Sequence, residues 1–156
     1  MKSVYIETSV ISYLTGRTSP RLITAAHQQI TRDWWDFHRQ RFELFISPLV
    51  IDEASGGDSG AATKRLRILE DLPILDITGE AMELVDTLID GGALPVQAKD
   101  DAAHIAISTV HNIDYLLTWN CRHLDNAETK PVIRSICAVK GYICPEIFTP
   151  IELMGE

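Results

Sequence analysis

The chain opens with a short apolar run, Val4-Tyr5-Ile6, that stops at Glu7-Thr8-Ser9. A hydroxyl there can cap a helix over about Val10 to Leu14, so the first unit reads as strand, sharp turn, helix. After Ser19-Pro20 a helical pattern runs to about Arg39, with Ile23, Ala26, Ile30, Trp34 and Phe37 spaced along one face. That spacing marks Trp34 and Phe37 as core and leaves Thr31, Trp35 and His38 as a second stripe, fit for a partner or for ordinary packing. Phe42 to Ile46 reads as a second strand, and Ser47-Pro48 then starts a short helix that carries Asp52 and Glu53 before Gly56-Gly57. A helix over about Ala61 to Glu70 precedes Pro73 and an expected strand, Ile74 to Ile77.

Thr78 caps a helix reaching about Asp90, and Gly91-Gly92 ends it. Gln97 to His111 is helical and apolar on most sides, which predicts burial. Tyr115 to Thr118 is the next strand, Pro131 to Val139 a helix, and Glu146 to Thr149 a closing strand. Strands alternating with helices predict an α/β fold, a parallel sheet with helices on both faces. No repeat, low-complexity tract or long linker divides the sequence, so residues 1–156 are expected to form one domain.

Composition fits a soluble globular chain: 46% of residues are hydrophobic and 23% charged. No apolar stretch approaches the ~18 residues of a spanning helix, and the first apolar run is too short for a signal peptide. The expectation is a cytoplasmic protein without membrane contact. Cys121, Cys137 and Cys144 form an odd set without a C-x-x-C pair, which fits neither a disulfide framework nor a thiolate zinc site. Fourteen Lys and Arg against 22 Asp and Glu give a net charge of −8, which by itself counts against nucleic acid as a partner.

The acids are not scattered evenly over this pattern. In an open α/β sheet the functional crevice lies beyond the carboxyl ends of the strands. Glu7 ends the first strand, Glu53 lies one short helix past the second, Asp101 begins the buried helix, and Asn120 follows the third. Carboxylates gathered a few ångströms apart raise one another's pKa unless a cation intervenes, and all-oxygen donors suit Mg²⁺ or Mn²⁺. Such an ion can activate water and hold the oxygens of a phosphodiester, so the inferred chemistry is metal-assisted phosphodiester hydrolysis. Asp52 stands beside Glu53 and Asp100 beside Asp101 as competing choices. Asp101 is preferred because it lies three residues before His104 on the same helical face. His104 reads as a buried, hydrogen-bonded support rather than a ligand, and Thr8 and Thr118 as hydroxyls that cap or orient a carboxylate. Cys121-Arg122-His123 reads as a structural loop, and Gly56-Gly57-Asp58-Ser59-Gly60 as a flexible connection without the Lys of a phosphate-binding loop.

Taken in order, five short blocks resemble the PIN-domain nucleases. Val4-Tyr5-Ile6-Glu7-Thr8-Ser9-Val10-Ile11-Ser12-Tyr13-Leu14 resembles the family's opening, and Ile46-Ser47-Pro48-Leu49-Val50-Ile51-Asp52-Glu53 its second acidic motif. Lys99-Asp100-Asp101-Ala102-Ala103-His104-Ile105-Ala106 resembles the third, Asp114-Tyr115-Leu116-Leu117-Thr118-Trp119-Asn120 the fourth, and Phe148-Thr149-Pro150-Ile151-Glu152-Leu153 the usual ending. The resemblance implies a three-layer α/β/α sandwich and Mg²⁺- or Mn²⁺-dependent cleavage of RNA, most often by the VapC-like toxin of a type II toxin-antitoxin pair. It implies metal roles for Glu7, Glu53 and Asp101, with Asn120 a weak fourth contributor. It also implies an antitoxin protein as partner and leaves a homodimer open. Two positions depart from the family pattern: Glu7 stands where Asp is usual, and Asn120 where a fourth acid is usual. A catalytically weakened or inactive PIN-like module that binds RNA or protein is therefore the alternative. A small phosphatase lacks its D-x-D after the first strand. Arg17, Arg21, Lys64, Arg65, Arg67 and Arg122 are candidates for holding an RNA backbone.

Overall fold

The computed structural model describes residues 1–155. Four strands, β1 (Lys2–Ile6), β2 (Phe42–Phe45), β3 (Tyr115–Leu117) and β4 (Glu146–Phe148), form an all-parallel sheet in the order β2-β1-β3-β4. Seven α-helices surround it: α1 (Thr8–Thr15), α2 (Leu22–Phe37), α3 (Pro48–Ala54), α4 (Ser59–Leu69), α5 (Gly79–Asp90), α6 (Lys99–Val110) and α7 (Lys130–Val139). In one group α1 packs on α2, α3 and α4, and in the other α5 packs on α6 and α7. The architecture is the expected α/β sandwich.

A central parallel strand is covered on both faces, so it needs a continuous apolar run rather than an alternating one. Val4, Tyr5 and Ile6 on β1 and Leu116 and Leu117 on β3 are fully buried accordingly. From β1 the chain passes to β2 on one side, and from β3 to β4 on the other. This reversal makes the carboxyl ends of β1 and β3 a topological switch point, the place where such sheets open a crevice. Glu7 and Thr118 occupy those two ends.

Three expectations need correction. Ile74 to Ile77 is not a strand: only Ile74 makes a bridge, to Ile46, and Ile74 and Ile77 are exposed. On α2 the core face is rotated from the predicted stripe. Gln28, Thr31, Trp34 and Trp35 are buried, whereas Ile23 and Phe37 are 72% and 73% exposed. The rotation has a polar cause. The Trp119 indole N–H donates to Thr31 Oγ1 at 2.8 Å, and its ring stacks on His27 at 4.1 Å between centroids, drawing Thr31 inward. Finally, the cap of α1 is Glu7 itself, whose Oε2 accepts the Ser9 N–H at 3.1 Å.

One glycine is demanded by close approach. At Gly16, just past α1, an added Cβ would lie 2.9 Å from the Ser12 carbonyl oxygen, so any larger residue must displace backbone.

Candidate active site

Glu7 leaves β1 directly into α1 and is only 6% exposed. Its Oε1 accepts the hydroxyls of Ser9 and Thr118, the latter at 2.6 Å, while Oε2 takes the helix N–H already described. Ser9 Oγ in turn accepts the Trp119 N–H at 2.9 Å, and Thr118 Oγ1 accepts the Asn120 N–H at 2.9 Å. Glu7 thereby ties the turn after β1 to the turn after β3. The extra methylene relative to Asp lets this carboxylate fold back over its own helix start.

Glu53 reaches the same point from α3, with its side chain 31% exposed. Its Oε1 accepts the Thr8 hydroxyl at 2.6 Å and the His104 Nε2–H at 2.7 Å. Both bonds fall on Oε1. His104, on α6 and fully buried, meets the Tyr5 hydroxyl through Nδ1 at 2.7 Å, and that hydroxyl meets Ser47 Oγ at 2.7 Å. When His104 is neutral with its proton on Nε2, Tyr5 donates to Nδ1 and Ser47 donates to Tyr5. When His104 is charged, Nδ1–H donates to Tyr5, which turns its proton toward Ser47. The relay is satisfied in either state.

Electrostatics favour the charged imidazole. Burial pushes His104 down, but the hydrogen bond to Glu53 and the charges of Glu7, Glu53 and Asp101 outweigh it, leaving its pKa above the usual histidine value. For Glu53, burial pushes upward, and the bond and charge of His104 with the Thr8 hydroxyl outweigh it, leaving a carboxyl below its ordinary value. Burial raises the Tyr5 phenol far above its usual range, and the nearby Glu7 and Glu53 charges add to this, so it stays protonated.

Glu7, Glu53 and His104 present ligand atoms that all lie within 4.8 Å of one another. Asp101 stands outside that group, in contrast to the convergence expected from sequence. Its Oδ2 is taken instead by His123 Nδ1–H at 3.0 Å, although its charge still reaches His104. Asn120 is likewise turned away: its Oδ1 accepts the backbone N–H groups of Arg122 and His123 at 3.2 and 3.0 Å. The amide thus shapes the turn that aims His123 at Asp101. Thr8 donates its hydroxyl to Glu53 and Thr118 donates its own to Glu7.

Sequence reasoning missed Tyr5, Ser9, Ser47 and His123. Tyr5 is indistinguishable from core in an apolar strand, and Ser47 looks like an N-cap, although it forms no side-chain cap and turns to Tyr5 instead. Ser9 could have been found as the second hydroxyl after the strand-end acid.

The donor set passes a simple test for a divalent ion. Two facing carboxylates, one from the end of β1 and one from α3, the latter bearing both its protein bonds on a single oxygen, beside a third acid and an imidazole, match the hard oxygen donors Mg²⁺ and Mn²⁺ favour.

A four-stranded all-parallel sheet in this order, enclosed by helices, matches the PIN-like fold of VapC structures. Among solved structures, the chain is similar to VapBC2 from Rickettsia felis bound to a DNA fragment from its promoter, with a TM-score of 0.60 and 14% identity over 94% of this chain and 97% of that one. It is also similar to VapC20 of Mycobacterium tuberculosis, a sarcin-ricin-loop-cleaving toxin, with a TM-score of 0.55 and 16% identity over 73% of this chain and 87% of that one. No protein-family model matches the sequence, and no curated protein matches it. Among the described residues, no helix is long and apolar enough to cross a membrane.

Proposed function

We propose that this chain is a divalent-metal-dependent endoribonuclease of the PIN class, acting as the toxin of a type II toxin-antitoxin pair. The observation that carries the reading is the convergence of Glu7, at the end of β1, and Glu53, on α3, with ligand atoms within 4.8 Å at the switch point of a VapC-like fold. Glu7 and Glu53 would hold Mg²⁺ or Mn²⁺, joined by Asp101 once its carboxylate leaves His123. A divalent ion held there would supply Lewis-acid activation of water and charge stabilisation at a scissile phosphate. His104 keeps Glu53 ionised and oriented, and the Tyr5 and Ser47 hydroxyls hold the imidazole. Thr118 and Ser9 fix Glu7. Asn120 contributes by ordering the turn that carries His123. The fold of antitoxin-bound VapBC2 supports an antitoxin protein as partner, and a cytoplasmic location follows from that role.

The test is cleavage of structured RNAs by purified protein with Mn²⁺, comparing Asp101→Ala. Cleavage that depends on metal and is lost in the variant supports the assignment. Cleavage unchanged in the variant, or without metal, defeats it.

A second reading rests on specific contacts: Glu7 has hydrogen bonds on both carboxylate oxygens, and Asn120 is bound into its turn. These favour a PIN-like module with weakened metal binding that acts by binding RNA or protein. No Mn²⁺ binding at millimolar concentration selects it.

A further inference from the structure

We propose that the cavity at the far end of α1 is a phosphate subsite that grips the RNA backbone beside the acidic centre, a proposal that rests on the ribonuclease reading. The cavity holds about 560 Å³ and lies between the end of α1 and the start of α4. Arg17, Lys64 and Arg65 line it, and Asp58 is the acid among its lining residues. A fourth cation, Arg32 on α2, donates through Nη2 to the Gly16 carbonyl in the cavity wall at 3.1 Å.

These cations are not spent on protein carboxylates. Among the described residues, none of Arg17, Arg32, Lys64 and Arg65 has a carboxylate oxygen within 4.0 Å. The Asp58 carboxylate is engaged elsewhere, accepting the Ala61 N–H at 2.9 Å as the cap of α4. In a chain of net charge −8, three cations lining one small concavity beside a single acid form a local exception that attracts a polyanion.

The placement relative to the acids suits one continuous strand. Arg65 donates to the carbonyls of Ala54 and Gly56 at 3.0 and 2.6 Å, the residues that flank the end of α3 just after Glu53. Helix α1 begins at Thr8, which bonds Glu53, and its eight residues span about 12 Å before the cavity opens. At 3.4 Å per charge along a stacked strand, that separation is roughly three to four nucleotides. A phosphate seated on Arg17 and Lys64 would hold the strand whose scissile bond lies at Glu7 and Glu53. Arg65, fixed to the Ala54 and Gly56 carbonyls, supplies a preorganised positive wall rather than a mobile contact.

The experiment measures equilibrium binding of a labelled single-stranded RNA oligonucleotide across a salt series in EDTA, so that catalysis plays no part. The Arg17→Ala/Lys64→Ala double variant should flatten the dependence of log K on log salt by about 1.4, from about 0.7 per phosphate contact, and weaken binding about 25-fold at 0.1 M salt. A control double variant on and just after α7, Arg134→Ala/Lys140→Ala, removes the same net charge and should leave the slope unchanged. The Arg17→Lys/Lys64→Arg variant should restore it. An unchanged slope in the α1 variant, an equal loss in the control, no RNA binding by the wild type, or a site that takes poly-glutamate while the RNA slope stays put overturns the proposal. The two readings fail separately. Loss of slope without any Mn²⁺-dependent cleavage keeps the subsite and defeats the nuclease, and cleavage with an unaltered slope does the reverse.

Discussion

Replacing Tyr5 by Phe removes one oxygen from the middle of the buried relay and leaves the ring volume in place. Tyr5, Ser47 and His104 are all fully buried, so water cannot substitute for the lost hydroxyl. Both 2.7 Å contacts vanish together, stranding Ser47 Oγ and His104 Nδ1. Each stranded buried polar group costs about 1–3 kcal/mol, and because Ser47 can turn toward its own helix start, the total should be roughly 2–4 kcal/mol. For a chain of this length each kcal/mol corresponds to about 2–4 °C, so Tm should fall by roughly 4–16 °C. Urea unfolding followed by circular dichroism gives the free energy directly, provided the slope with denaturant is unchanged. Ser47→Ala is the comparison: it removes one contact but leaves Tyr5 paired with His104, and should cost only about 1 kcal/mol. A Tyr5→Phe loss below about 0.5 kcal/mol, within the range of ordinary surface changes, would refute the relay. So would a Ser47→Ala loss as large as that of Tyr5→Phe.

The same site predicts a pH profile with two limbs. His104 is held above its ordinary 6.5, so its stabilisation is complete below that pH and is lost as pH rises through its higher folded value. Glu53 is held below its ordinary 4.5, so its stabilisation is complete above that pH and disappears as pH falls through its lower folded value. The urea midpoint should therefore decline on both sides, and His104→Gln should flatten the alkaline limb; an identical limb in the variant sinks this account. Thr118→Val removes a 2.6 Å bond to the Glu7 carboxylate and should cost about 1.5–3 kcal/mol by the same unfolding assay, with a negligible change counting against the role given to Glu7. Asn120→Asp preserves an acceptor for the Arg122 and His123 N–H groups, so stability should stay within about 0.5 kcal/mol of wild type. If the missing fourth acid limits the enzyme, that variant should cleave RNA faster at a given Mn²⁺ concentration, and no gain rejects that explanation.

The sheet was readable because the buried halves of β1, Val4 to Ile6, and of β3 are apolar and sit next to recognisable turn chemistry. The exception, Ile74 to Ile77, has strand composition but exposed isoleucines, and it lacks a neighbour to pair with beyond Ile46. On α2 the apolar stripe misled because Thr31 is drawn inward by a hydrogen bond from Trp119, 88 residues away, which no local pattern encodes. At the site, Glu7 and Glu53 were legible as acids at strand ends. The partners of Asp101 and Asn120 were not, because His123 competes for Asp101 only once the turn after β3 has folded. Hydroxyls such as Ser9 and Ser47 carry no sequence mark that separates a cap from a carboxylate clamp. Basic residues far apart in sequence, Arg17, Arg32, Lys64 and Arg65, become one patch only through the packing of α1, α2 and α4.

The most direct measurement of the central claim is the rate of RNA cleavage as Mn²⁺ is titrated into wild type and Glu53→Gln. The wild type should be inactive in EDTA and gain activity saturably with Mn²⁺. Glu53→Gln should lose more than the roughly 10–100-fold that changes outside the ligand shell cost, with part of the loss recovered at high Mn²⁺. Cleavage that persists in EDTA, or a Glu53→Gln titration that overlays the wild type, would contradict a metal centre built on Glu7 and Glu53.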